Sequence, residues 1–217
     1  MKMFANRKEA GKLLAEELSE FKNNINVVIV TIPKGGVPVA YEIAQKLNLP
    51  LEVVLSKKIG HPTNKEYAIG AVTLDNEILT EAAENVSQQY INKEIEHIRD
   101  VLKALHKRYH GNMTPLELKN KIVILVDDGV ATGNTLISSI ALIAQQEPLK
   151  IIVGLPVAPQ SAIDKIKNQA LVDTVICLEI PQNFRAVGQF YQDFKPVDDI
   201  IVMDLLKKAC DNYLQNC

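Results

Sequence analysis

The stretch Val123-Ile124-Leu125-Val126-Asp127-Asp128-Gly129-Val130-Ala131-Thr132-Gly133-Asn134-Thr135-Leu136 decides how the rest of the chain is read. It begins as an apolar run of the kind that suits a strand buried on both faces of a parallel sheet. It then turns into two adjacent carboxylates, a loop of small residues and the start of a helix. In an open α/β sheet, ligands sit beyond the carboxyl ends of the strands. A helix N-terminus presents free N–H groups and the positive end of a dipole, which suits a phosphate. Gly129, Ala131 and Gly133 let the backbone come close, and Thr132 and Thr135 add hydroxyls. Two carboxylates would repel that phosphate unless they face sugar hydroxyls or a divalent cation.

Outward from this stretch, strands and helices alternate. Residues 6–21 read as an amphipathic helix with Ala10, Leu13, Leu14, Leu18 and Phe21 on one face, and with Asn6 and Glu9 as N-cap and N3 partner. Apolar runs of strand length occupy 26–32, 51–56, 121–128, 150–158 and 174–180, and 71–79 has strand or hairpin character. Helices are expected over 38–47, 81–109, 134–146 and at the C-terminus, with a short one capped by Ser161 and Asp164. Residues 57–70 read as a long polar connection, 111–115 as a helix stop and 181–194 as irregular. This order predicts an α/β fold with a mostly parallel sheet. The whole of 1–217 reads as one domain. The 81–110 helix is an insertion, and its apolar stripe is free either to cover the sheet or to form a homodimer.

Composition narrows the function. With 24 Lys+Arg against 26 Asp+Glu the net charge is −2, so there is no basic footprint for nucleic acid or a membrane surface. No apolar run reaches the ~18–20 residues of a membrane span, and the charged N-terminus does not read as a signal peptide. Cys177, Cys210 and Cys217 form neither a disulfide framework nor a zinc ribbon, which favours a reducing cytoplasm.

The 123–136 stretch resembles the 5-phosphoribosyl 1-diphosphate (PRPP) motif of the type I phosphoribosyltransferases. The resemblance extends over nearly the whole chain, through PKGGVPVA near the start and KKIGHPTNKEYAIGA after it. It is similar to a stand-alone group whose acceptor is unassigned. It implies the fold of that family with a C-terminal hood over about 174–217. It also implies transfer of a phosphoribosyl group to a nitrogenous base, with release of pyrophosphate and with Mg2+ at Asp127 and Asp128. The PRPP site implied comprises Lys34, Gly35 and Gly36 as the pyrophosphate loop and Asp127, Asp128, Gly129, Val130, Ala131, Thr132, Gly133, Asn134 and Thr135 as the ribose-phosphate loop. Residues 57–67 match the flexible catalytic loop, with Lys57 and Lys58 as its cations. Residues 180–193 resemble the hood of the hypoxanthine-guanine enzymes, which places Phe184 and Tyr191 at the base.

Two departures leave the acceptor open. The 6-oxopurine enzymes carry an Asp, able to act as general base, where this chain has Ala131. Their exocyclic-oxygen lysine is absent from Val157-Ala158-Pro159. Glu66 is the candidate carboxylate in its place. A non-catalytic PRPP-sensing regulator is the rival class. It would require a nucleic-acid footprint, and only about 25 residues precede the first strand, too few for a winged helix. His106 and His110, at i and i+4, form a weak metal pair with no third ligand placed by spacing and read better as a solvated helix end.

Overall fold

A computed structural model describes residues 3–111 and 115–215. Five parallel strands form the central sheet: β1 (Val27–Thr31), β2 (Leu51–Val53), β6 (Ile122–Val126), β7 (Lys150–Val157) and β8 (Thr174–Glu179), in the order β2-β1-β6-β7-β8. The near-continuous apolar runs are explained by burial on both faces. Val28, Val30, Val123, Leu125, Ile151 and Val153 pack under α4 (Asn134–Ala144) and α5 (Gln160–Lys167). Their neighbours Val27, Ile29, Ile124, Val126 and Ile152 pack under α1 (Arg7–Glu17) and α2 (Gly36–Leu47). The side-chain period of two serves both faces at once.

A second, antiparallel sheet joins β3 (Lys57–His61), β4 (Asn64–Val72) and β5 (Glu77–Leu79). The long polar connection expected over 57–70 is therefore a hairpin. Only its base is buried, at Ile59, Ile69 and Val72, while 62–68 are exposed, so the sequence shows no sustained alternation. Such a small sheet is marginal in water without something to pack against. The inserted helix α3 (Gln88–His110) supplies it. Ile91, Ile95, Ile98 and Leu102 are buried against this sheet and against α6 (Asp199–Gln215). The stripe expected to cover the sheet or form a homodimer is thus spent within the chain.

Smaller boundaries also move. The 81–109 segment opens with a short 3-10 turn, and α3 begins only after Ser87, whose hydroxyl accepts from the Tyr90 amide. Asn6 caps α1 as expected, but the Glu9 carboxylate reaches back to the Ala5 amide. Ser161 and Asp164 do not cap α5. Pro159 is extended there and the helix starts at Gln160, leaving both residues inside it. Of the expected stop over 111–115, residues 112–114 lie outside the described residues, as does Cys217. The stretch 174–217 is divided by the fold: β8 pairs with β7, while α6 packs on α2 and α3. His110 is buried and His106 is half-buried, so this helix end is not fully solvated. Their rings stack 4.3 Å apart, and the buried His110 Nε2 lies 2.6 Å from Glu52 Oε1. Among the described residues, no three His, Cys, Asp or Glu side chains gather as a metal site, and no helix is long and apolar enough to cross a membrane.

Candidate active site

The parallel register sets Thr31 beside Val126, so the chain leaves β1 and β6 at the same level. From there the loop 32–35 and the Asp127–Asp128 pair face each other. Contact between them is close. A Cβ on Gly35 would overlap the Asp128 carboxylate, and one on Gly36 would overlap the Thr31 hydroxyl and stand 3.0 Å from Asp127 Oδ1. Glycine is required at both positions by space. The Thr31 hydroxyl is itself spent on the Val126 carbonyl at 2.8 Å, which ties the two strand ends together. Two segments far apart in the chain thereby form one floor.

Asp127 keeps some accessible surface but is closely surrounded by protein atoms. Burial, and then the neighbouring Asp128 charge, raise its carboxyl well above the usual range. Burial raises Asp128 too, opposed by Arg7, whose Nε donates to Asp128 Oδ2 at 2.7 Å. Arg7 also donates to the Lys195 carbonyl and lies 3.8 Å over the Phe194 ring. The carboxylate pair has one compensating cation for two charges. Burial is the first cause of its raised proton affinity, and repulsion between the two carboxylates adds to it at Asp127. Oxygen donors of this kind fit Mg2+, which takes one or two carboxylates and completes its shell with water and phosphate oxygens.

Beyond the pair, Gly133 at φ +81 turns the chain into α4. Ala131, Thr132, Asn134 and Thr135 are exposed around that turn. The Val130 amide does not join them, because it donates to the Val157 carbonyl at 3.0 Å and the side chain is buried. Of the expected loop amides of 130–135, that one is already committed. Lys165 on α5 reaches Asn134 Oδ1 at 2.8 Å and brings a positive charge to the loop.

The remaining expected residues divide. Lys34, next to the floor in the chain, turns its side chain to α6 and pairs with Asp199 at 2.9 Å. It borders a cleft of about 470 Å3 that Lys57 also lines. Lys58 is paired with Glu66 at 2.6 Å on the exposed hairpin, and this contact holds the Glu66 carboxyl below its ordinary value. A carboxylate so stabilised is a poor general base. Phe184 is half-buried, stacks on the buried Phe190 and borders an open recess with Asn183 and Arg185. Tyr191, expected at the base, is buried beside Phe4, and its hydroxyl donates to the Asp128 carbonyl at 2.6 Å. Arg7, Lys165 and Asp199 were not singled out from sequence, since each lies far along the chain from the motif it touches.

The model of the phosphoribosyl transferase domain family matches residues 4–195. The crystal structure of TT1426 from Thermus thermophilus is 38% identical, with a TM-score of 0.84 over 96% of this chain and 99% of that one. AQ2163 from Aquifex aeolicus shares the fold at 17% identity, TM-score 0.50, over 84% of this chain and 78% of that one. Rv0571c from Mycobacterium tuberculosis H37Rv, provisionally named a phosphoribosyl transferase, is 30% identical over 96% of this chain and 47% of its own length. The chain therefore spans about half the length of the curated relatives it matches.

Proposed function

Because the chain belongs to the phosphoribosyl transferase domain family, we propose that it transfers the phosphoribosyl group of PRPP to a nitrogenous base, releasing pyrophosphate. The observation that carries this reading is the shared floor of Gly35, Gly36, Asp127 and Asp128. The bond from C1′ to the pyrophosphate oxygen breaks, and a bond from C1′ to a ring nitrogen forms. Asp127 and Asp128 orient the ribose hydroxyls and face the positive charge that develops on the sugar. The exposed loop 131–135 receives the 5′-phosphate, with Lys165 close by. Lys34 and Lys57, bordering one cleft, meet the leaving pyrophosphate.

Asp127 and Asp128 would hold Mg2+, which would supply positive charge to neutralise the diphosphate when bound. The recess beside Phe184 is the place for a flat base, since the half-buried ring borders it and an aromatic face suits stacking. Lys58 and Glu66 are assigned to the hairpin that borders the reaction, their ion pair opening when the hairpin closes over substrate. A substrate this heavily phosphorylated supports a reaction inside the cytoplasm.

The test is pyrophosphate release from Mg·PRPP across a panel of purine, pyrimidine and pyridine bases. At least one base should support release, and Asp128→Asn should lower turnover by about two to three orders of magnitude. Release that is undiminished in Asp128→Asn, or absent with every base, overturns the proposal.

A further inference from the structure

Asp199 lies beyond the family match, which ends at residue 195, yet its side chain reaches the pyrophosphate loop. Its Oδ1 accepts from the Tyr109 hydroxyl at 2.7 Å and from Lys34 Nζ at 2.9 Å, and its Oδ2 accepts from Arg108 Nη1 at 2.6 Å. Tyr109 and Arg108 stand on the last turn of the inserted helix α3, and Asp199 opens α6. One element outside the central sheet, α6, therefore holds the lysine of the 33–36 loop, and α3 holds the Asp199 carboxylate that does so.

We infer that Asp199 competes with pyrophosphate for Lys34 and so weakens the loop's hold on that anion; the inference rests on the phosphoribosyl-transfer reading above. The three donors hold the Asp199 carboxyl far below the ordinary range, so it stays ionised at any working pH. A permanent negative charge thus stands beside the loop's ammonium. Asp199 divides its charge between Lys34 and Arg108, so an incoming anion meets a lysine whose charge is partly compensated, and the local attraction is reduced. The exchange is cheap for Asp199. When Lys34 turns to a ligand, Tyr109 still satisfies Oδ1 and Arg108 still satisfies Oδ2. Asp199 is thus a positioning residue that acts through Lys34, and its effect is to speed loss of the product anion.

The experiment is calorimetric titration of the full chain with pyrophosphate in the presence of Mg2+. A structural role for Asp199 predicts weaker binding when it is replaced, whereas competition predicts tighter binding. Asp199→Asn keeps an acceptor for Tyr109 and removes the charge. It should bind Mg·pyrophosphate about three- to fivefold more tightly, the scale of one exposed ion pair. The gain should shrink at about 0.5 M salt, where exposed charges are screened. It should also vanish in a Lys34→Gln background, since the cycle isolates the pair. If Asp199→Asn does not give the wild-type circular dichroism spectrum, Asp199→Ser carries the same measurement. Unchanged or weakened binding, or a gain that survives Lys34→Gln, refutes the competition. A wild-type chain that binds no Mg·pyrophosphate refutes the reading of the site itself, and the inference with it.

Discussion

Gly35 has the Asp128 carboxylate where a Cβ would stand, and Arg7 pins that carboxylate from the other side. A methyl group at this position has no cheap way to be accommodated. Gly35→Ala should push Asp128 off Arg7 and misplace the ribose-binding oxygens. Losing a charge-assisted hydrogen bond costs about 1.5–3 kcal/mol, which corresponds to a roughly 10- to 150-fold weaker affinity for Mg·PRPP. Equilibrium binding of Mg·PRPP checks this, with circular dichroism confirming that the fold is kept. Binding within twofold of wild type would mean that the floor does not hold the ribose. At this scale the sequence was readable where chemistry and spacing coincide. The Asp pair, the Gly pair and the turn at Gly133 are local signals. Arg7 was not readable, because 121 residues separate it from its partner and nothing in the first turn of a surface helix marks it. The burial of Tyr191 was not readable for a related reason. An aromatic beside a hood motif can stack on a ligand or pack beneath the loop, and its neighbours Phe4 and Phe194 come from segments on either side that the motif does not include.

The hairpin β3–β4 is the element whose secondary structure differs most from the expected polar connection. Its base packs on the apolar face of α3, and nearer the tip a polar contact to Tyr90 and Glu94 is added. The Tyr90 hydroxyl donates to the Gly60 carbonyl at 2.8 Å and accepts from Lys65 Nζ, which also pairs with Glu94 at 2.9 Å. The attachment and the hairpin tip are solvent-exposed in large part, so the element belongs to the low-stability end of the molecule. Tyr90→Phe removes both hydroxyl bonds and keeps the ring. Amide hydrogen exchange over 57–66 should then accelerate by about threefold to tenfold, the loss expected from one or two ordinary hydrogen bonds. The amides of β1, β6 and β7 should be unaffected. Uniform acceleration across the chain would show that the hairpin does not open by itself. Sequence periodicity missed this element because half of it projects beyond its cover, and an uncovered strand has no apolar face to display. The five central strands were legible for the opposite reason, since covering both faces forces a continuous apolar run.

At the scale of the molecule, the question is what fastens the inserted α3 to the central sheet. Apolar packing does most of it, and among the described residues polar contacts at Glu52 add to it. Glu52 of β2 takes His110 Nε2 on Oε1 and the Leu116 amide on Oε2. Burial works against a charged His110, but the hydrogen bond and charge of Glu52, helped by the His106 carbonyl, raise its proton affinity on balance. His106, stacked on it, is driven the other way by burial and by the His110 charge, with Glu52 and Asp75 opposing. The folded protein therefore holds the His110 proton more tightly than the unfolded chain does. That contribution is complete below the ordinary imidazole value of 6.5 and is lost as pH rises through the higher folded value. For His106 the order reverses, and stability is lost as pH falls through its lowered value. A hydrogen bond to a charged partner contributes about 1.5 kcal/mol or more. In a chain of this size that corresponds to about 3–6 °C in Tm. With His106 replaced by Gln to remove the opposing titration, Tm should fall by about this amount as pH rises from below 6.5 into the alkaline range. Adding His110→Gln should flatten that slope. A melting profile equally steep in the doubly substituted chain would place the pH dependence elsewhere, and α3 would then be held to the sheet by its apolar face alone.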